Sequence, residues 1–180
     1  MSLKQVLSLR RSVRSYAPRD LTDDELLDLL WAGQGVTSKK GYRTAPSAGA
    51  TYPLELHVVS RKGVLRYMPA SHTVERLAAR DRTAELAEAA LHQACVKTAP
   101  ASIVVAGVVS RTAAQYGDRA ERYVDLEAGC ASQNIMLTAT TLGLGAVMIG
   151  AYNDDMVKEI ASLPEESTPL AIISVGALSR

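Results

Sequence analysis

The residues best suited to chemistry lie near the start of the chain, in Arg10-Arg11-Ser12-Val13-Arg14. Between Met1 and Arg19 the chain carries Lys4, Arg10, Arg11, Arg14 and Arg19, and the first acid is Asp20. In an extended segment the two-residue side-chain period puts Arg10, Ser12 and Arg14 on one side and Arg11, Val13 and Ser15 on the other. Two guanidinium forks with a hydroxyl between them form a clamp for an anion such as phosphate, because planar paired donors match its oxygens. A solvated basic segment or a nucleic-acid contact fits the same residues. The formal net charge of +1 over 180 residues argues against a general nucleic-acid binder and makes the basic cluster local.

Other familiar chemistries find no support. Gly143-x-Gly145 lacks the third glycine of a dinucleotide fingerprint and follows a helical pattern rather than a strand. Gly35-Val-Thr-Ser-Lys-Lys lacks the spacing of a phosphate-binding P-loop. His57, His72 and His92 are scattered and read as structural histidines, with no metal site expected. Cys95 and Cys130 have no evident activating partner and read as buried free thiols in a reducing cytosol. No Gly-x-Ser-x-Gly nucleophile elbow is present, so no catalytic side chain is expected. An anion clamp without acid, base or nucleophile suits a cofactor that brings its own chemistry.

The elements that must position these residues can be read in order. Leu3, Val6 and Leu7 predict a short first helix running into the arginines. Thr22 and Glu25 make a capping box for a second helix that Gly33 and Gly35 end. Val36 to Tyr52 is a long loop, of the kind that more often carries function. Strands are predicted over 54–60 and 64–68, joined by Arg61-Lys62-Gly63 as a hairpin. A short helix is predicted near 73–79, a longer one over about 83–94, and a strand buried on both faces over 101–109. Asp118 and Glu121 form a second box opening a helix to about Leu142, with a small-residue centre, Ala128-Gly129-Cys130-Ala131-Ser132, suited to close packing as a buried spine or against its own copy in a dimer. A strand over 146–149, a helix capped by Asn153 and a last strand over 170–177 complete the chain. The expected class is α+β, or mixed α/β. It forms a single layered domain over 1–180, with a central mixed or antiparallel sheet flanked by helices. With no leader-like apolar core and no run of about 18 apolar residues, a cytoplasmic protein without membrane contact is expected.

In order and spacing these stretches resemble the nitroreductase family of FMN-dependent oxidoreductases. Arg10-Arg11-Ser12-Val13-Arg14 resembles the family's Arg-x-Ser-x-Arg/Lys motif, which implies that Arg10, Ser12 and Arg14 bind the FMN phosphate, ribityl chain and pyrimidine edge, with Arg11 contributing. Pro46-Ser47-Ala48-Gly49-Ala50-Thr51-Tyr52-Pro53 resembles the loop lying against the flavin ring, with Ala50 where the family often has asparagine. Gly143-Leu144-Gly145-Ala146-Val147-Met148-Ile149-Gly150 resembles the strand and turn that meet the isoalloxazine, which implies Met148, Ile149 and Gly150 beside the ring.

Asp125-Leu126-Glu127-Ala128-Gly129 resembles the family's dimer-core helix, and Arg180 stands in for the basic residues of a longer C-terminal arm. The resemblance implies a homodimer that uses NADH or NADPH. Hydride would pass in a ping-pong exchange through flavin N5 to a small nitro, quinone or similar acceptor, with Tyr42, Tyr52 and Tyr67 as candidates to line the substrate pocket. The Pro-Ser-Ala-Gly-Ala-x-Tyr-Pro loop is also similar to that of the azoline-oxidase-like branch, which implies a modified peptide heterocycle as an alternative substrate. A flavin-binding protein for storage or sensing is the other alternative.

Overall fold

The computed structural model describes residues 1–179, so Arg180 and its expected cofactor contact lie outside the described residues. Six strands make one sheet: β1 (Leu54–Ser60), β2 (Gly63–Met68), β3 (Thr73–Ala78), β4 (Ala101–Gly107), β5 (Leu144–Ile149) and β6 (Thr168–Ala177). Their order is β3-β2-β1-β4-β6-β5, and every neighbouring pair is antiparallel. The α+β architecture expected from the sequence is therefore present, with an antiparallel rather than mixed sheet.

Alternation along the central strands sends side chains to two cores. On one face Leu56, Val58, Ile103, Val105 and Ile173 pack with α2 (Asp23–Gln34) and α6 (Ala120–Thr141). On the other, Val59, Val104, Ala106 and Ile172 pack with α3 (Thr83–Ala89), α4 (Ala94–Thr98) and α7 (Asp154–Ile160). Burial of one such side chain, for example Ile135 of α6 at 0% exposure, stabilises the fold by about 1.5–3 kcal/mol. The remaining helices are α1 (Leu3–Leu9) and α5 (Val109–Tyr116). None of the helices is long and apolar enough to cross a membrane among the described residues.

Local signals with a direct backbone consequence match the structure. Thr22 and Glu25 make their reciprocal capping bonds, Gly35 caps the end of α2, and Asn153 accepts from the Met156 N–H. Gly63 adopts φ 114, the left-handed conformation the tight hairpin needs.

Four expectations are corrected. Residues 73–78 form edge strand β3 rather than a helix, because pairing with β2 and the cross-strand Arg66–Glu75 ion pair at 2.7 Å override local helix propensity. The helix over 83–94 divides into α3 and α4, with Leu91 and His92 both at positive φ in the reversal that seats Cys95 and Val96 in the core. The strand over 101–109 stops at Gly107, and α5 follows without a side-chain cap to announce it. Asp118 does not cap α6, which begins at Ala120 after a short 3₁₀ turn.

Cys130 corrects a further expectation. It is exposed, on the face of α6 opposite Ala128 and Ala131, whereas Cys95 is buried as expected.

Candidate functional site

The arginine segment leaves α1 at Arg10, the helix C-cap, and continues in extended conformation. Ser12 forms a parallel bridge with Ala146 of β5, and the Val13 N–H donates to the Ala146 carbonyl at 3.0 Å. Tyr16 then donates its hydroxyl to the Ser174 carbonyl of β6, and the Ala17 N–H bonds Ala177. These contacts lay the segment against the same strand that carries Met148 and Ile149, so the structure brings two of the three motif stretches together. Arg11 is engaged locally, with Nη1 donating to the carbonyls of Ser8 and Arg10. Arg14 makes one long bond to the Ser12 carbonyl. Arg10, Arg11 and Arg14 meet no carboxylate among the described residues, unlike Arg19, Arg61, Arg66, Arg80, Arg82 and Arg111. The same is true of Arg43, Arg76, Arg119 and Arg122, but only Arg10, Arg11 and Arg14 follow one another along one segment beside β5.

Met148, Ile149 and Gly150 border a cleft of about 340 Å³ between β5, β6 and α6, lined also by Asp125, Gly129 and Ser132. Met148 is 49% exposed in an otherwise buried strand. A Cβ at Gly129 or Gly150 would meet nothing within 4 Å, so the glycines leave open space there. Ser132 is 0% exposed and its Oγ has no hydrogen-bond partner. A buried unpaired hydroxyl beside a cleft is the kind of group a bound molecule satisfies.

The Pro46 loop lies elsewhere, against α5 and a different face of α6. Ser47 Oγ accepts from the Tyr52 N–H at 2.9 Å, and the hydroxyls of Thr51 and Thr112 are 2.9 Å apart. A Cβ at Gly49 would meet the flexible amide end of Gln115, 2.3 Å from its Oε1, so the space can open and it is the positive φ that favours glycine there. Gly49, Ala50 and Tyr52 have φ of 59, 54 and 46, and left-handed conformation costs a non-glycine residue energy that the surrounding contacts must offset. None of the residues 46–50 lines the cleft beside Met148.

The tyrosines separate as well. Tyr42 is 52% exposed and does not line the cleft beside Met148. Tyr52 lies under the Arg43 guanidinium, 4.8 Å from its ring centre. Tyr67 is buried, its hydroxyl 2.9 Å from His72 Nδ1, and burial pushes its pKa up to about 12.

Sequence reading missed a buried polar group beneath the loop. Glu127 of α6 is 3% exposed, and its Oε1 has no hydrogen-bond partner. Burial raises its pKa above the ordinary carboxylate value, while Ser47, Gln34 and Arg43 pull the other way. The signal was in the spacing: Val124, Glu127, Ala128 and Ala131 fall on one helical face, so Glu127 sits in the apolar stripe.

A carboxyl with a raised native pKa contributes fully below its unfolded value, and that contribution is lost as pH rises through the native one. Glu127→Gln is therefore expected to flatten the fall in stability as pH rises above the ordinary carboxylate value of about 4.3, read by urea unfolding at stepped pH. An unchanged slope would show that Glu127 stays ionised. Glu55 has the opposite sign. His57, with Nε2 at 3.8 Å, and Arg111 hold its carboxyl at about 2 against burial, so its contribution is full above the ordinary carboxylate range and is lost progressively as pH falls from there to about 2.

The chain matches the model of the Nitroreductase family over residues 7–177. A Methanocaldococcus jannaschii protein named as a nitroreductase is 43% identical over 182 residues, covering 98% of this chain and 91% of the relative. A Methanothermobacter thermautotrophicus protein named as an NADH dehydrogenase/NAD(P)H nitroreductase is 27% identical over 183 residues, covering 98% of this chain and 77% of the relative. A crystal structure of a protein from Ralstonia eutropha, also named as a nitroreductase, aligns with a TM-score of 0.89 at 29% identity, over 100% of this chain and 84% of that one. Because the family match runs unbroken through the arginine segment, the Pro46 loop and the β5 strand, the chain belongs to the nitroreductase family.

Proposed function

We propose that this protein is an FMN-dependent oxidoreductase that takes electrons from NADH or NADPH and passes them to a small organic acceptor, such as a nitro compound or a quinone. The observation that carries the reading is the Ser12–Ala146 bridge, which sets the uncompensated arginines on the strand leading to Met148, Ile149 and Gly150. The residues present fit the cofactor: free guanidinium donors for a phosphate, open glycine backbone, and an unpaired Ser132 hydroxyl beside the cleft. When bound, FMN supplies the hydride chemistry at N5, in a ping-pong exchange between nicotinamide and acceptor.

In this reading Arg10, Ser12 and Arg14 hold the phosphate end, and the main chain at Met148 to Gly150 lies against the flavin ring. The Pro46–Ala50 loop of the same chain faces another side of α6, which supports a homodimer in which the partner subunit's copy of the loop completes the pocket. The exposure of Leu126 and Met148, at 60% and 49%, is consistent with that interface. The proposed setting is the cytoplasm, where reduced nicotinamide is available.

Purified protein is expected to be yellow, and NADH or NADPH added without oxygen is expected to bleach the flavin band. A coloured protein that neither nicotinamide reduces would leave a flavin-binding storage or sensing protein. A colourless protein that cannot be loaded with FMN would overturn the reading altogether.

A further inference from the structure

The Pro46 loop is held in a conformation that its own sequence does not favour. Ala50 and Tyr52 keep positive φ, a region that L side chains rarely adopt, while Gly49 and Ala50 are exposed rather than packed. Inside the loop only short-range bonds oppose this cost: the Ala50 N–H donates to the Ser47 carbonyl at 3.1 Å and the Thr51 N–H to the Ala48 carbonyl at 3.2 Å. Thr112 of α5 grips the loop at Thr51. The rest of the hold comes from beneath.

There, polar groups from α2, α6 and the segment between α2 and the loop converge in apolar surroundings. Glu127 of α6 and Gln34 at the end of α2 are both buried. Arg43 Nη1 donates to Gln34 Oε1 at 2.8 Å, which leaves the Gln34 NH₂ to face another group. The Arg43 guanidinium also lies over the Tyr52 ring. Ser47 Oγ accepts from the Tyr52 N–H, so its own hydrogen is free to donate. Gln34 and Ser47 both act as donors towards the Glu127 carboxyl, and Arg43 adds a positive charge nearby. Glu127 is thus the group common to two paths into the loop. It meets Ser47 directly and reaches Tyr52 through Gln34 and Arg43. An apolar side chain, like those of Val124 and Ala131 on the same face, would pack without the desolvation cost of a carboxyl.

We infer that Glu127 is the positioning residue of the Pro46 loop: through Ser47 on one path and Gln34 and Arg43 on the other, it holds Gly49 and Ala50 outward in the geometry that completes the flavin pocket. The anchoring stands on the contacts above; its bearing on the flavin rests on the homodimer proposed in the preceding subsection.

Glu127→Leu keeps a similar volume and removes the acceptor, whereas Glu127→Gln keeps an amide oxygen that can accept from both Gln34 and Ser47. Amide hydrogen exchange in peptides covering residues 46–53 of the flavin-free protein is the measurement, with β4 as the internal reference. Glu127→Leu should speed exchange in the loop by about tenfold or more and leave β4 unchanged, and Glu127→Gln should stay within about threefold of the wild type. Glu127→Leu should also bind FMN at least about tenfold more weakly, with Glu127→Gln again close to the wild type. If Glu127→Leu does not fold, Arg43→Met decides, because it cuts the second path at a half-buried side chain and should loosen the same amides by several-fold.

Unaltered loop exchange in the folded variant overturns the assignment. An equal rise in β4 also overturns it, since Glu127 would then serve general stability, and so does a Glu127→Gln loop as loose as that of Glu127→Leu. A loosened loop with unaltered FMN affinity keeps the anchor and removes the loop from the flavin pocket. A wild-type protein that takes up no FMN removes the flavin reading and leaves the exchange result standing.

Discussion

Replacing Arg10 and Arg14 together by alanine is expected to weaken FMN binding by about 10²- to 10⁴-fold. Each hydrogen bond from a charged donor contributes about 1.5–3 kcal/mol, so two removed guanidinium groups account for about 3–6 kcal/mol. The fold should survive, because neither arginine pairs with a carboxylate among the described residues, and the bridge to β5 uses the backbone of Ser12 and Val13. A fluorescence titration of the flavin-free protein measures the affinity, and a thermal melt checks the fold. Arg11→Ala is the contrast: its guanidinium already bonds the carbonyls of Ser8 and Arg10, so its loss should cost the cofactor little. Unchanged flavin affinity in the double variant would show that the phosphate lies elsewhere.

Adding a single methyl group at Gly145 is expected to dislodge the same segment from the other side. A Cβ there would stand 2.5 Å from Val13 Cγ1, 2.7 Å from Val13 Cβ and 3.0 Å from Leu178 Cδ2. Rotating Val13 does not relieve the contact to its Cβ, and its backbone is tied to Ala146, so the segment must lift. Overpacking of this kind costs about 1–3 kcal/mol. Gly145→Ala should therefore melt at a lower temperature and also bind FMN at least about tenfold more weakly, since the arginines ride on the displaced segment. Val13→Gly in the same chain removes both contacting carbons of Val13 and should restore much of the flavin affinity. A Gly145→Ala protein that loses stability but keeps its FMN affinity would separate the register of the segment from cofactor binding.

These expectations draw on features that differ in how far the sequence exposes them. The Thr22–Glu25 box, the Gly63 turn and the Asn153 cap were legible because each depends on atoms a few residues apart. The two-faced burial of β4 was legible because a continuous apolar run admits little else. Strand β3 was not: its short segment suits a helix locally, and the decision rests with β2, whose edge supplies the hydrogen bonds. Helix α5 was hidden for a similar reason, since Val108 and Val109 continue an apolar strand in sequence while the chain turns in space.

By itself the sequence determined the order of most helices and strands, the excess charge at Arg10 to Arg14, and the three motif stretches that resemble the nitroreductase family, because these are matters of residue type and spacing. Only the tertiary structure decided which of those stretches meet. The sheet order places β5 beside β6, where the N-terminal segment can bridge to Ala146, and leaves the Pro46 loop against α5 and another face of α6. It also decided that Glu127 is buried beneath the loop, where Ser47, Gln34 and Arg43 act on it. Residues tens of positions apart carry no local mark of their meeting. Strand pairing and helix packing bring them together, and the unpaired buried groups at Ser132 and Glu127 are apparent only once those neighbours are in place.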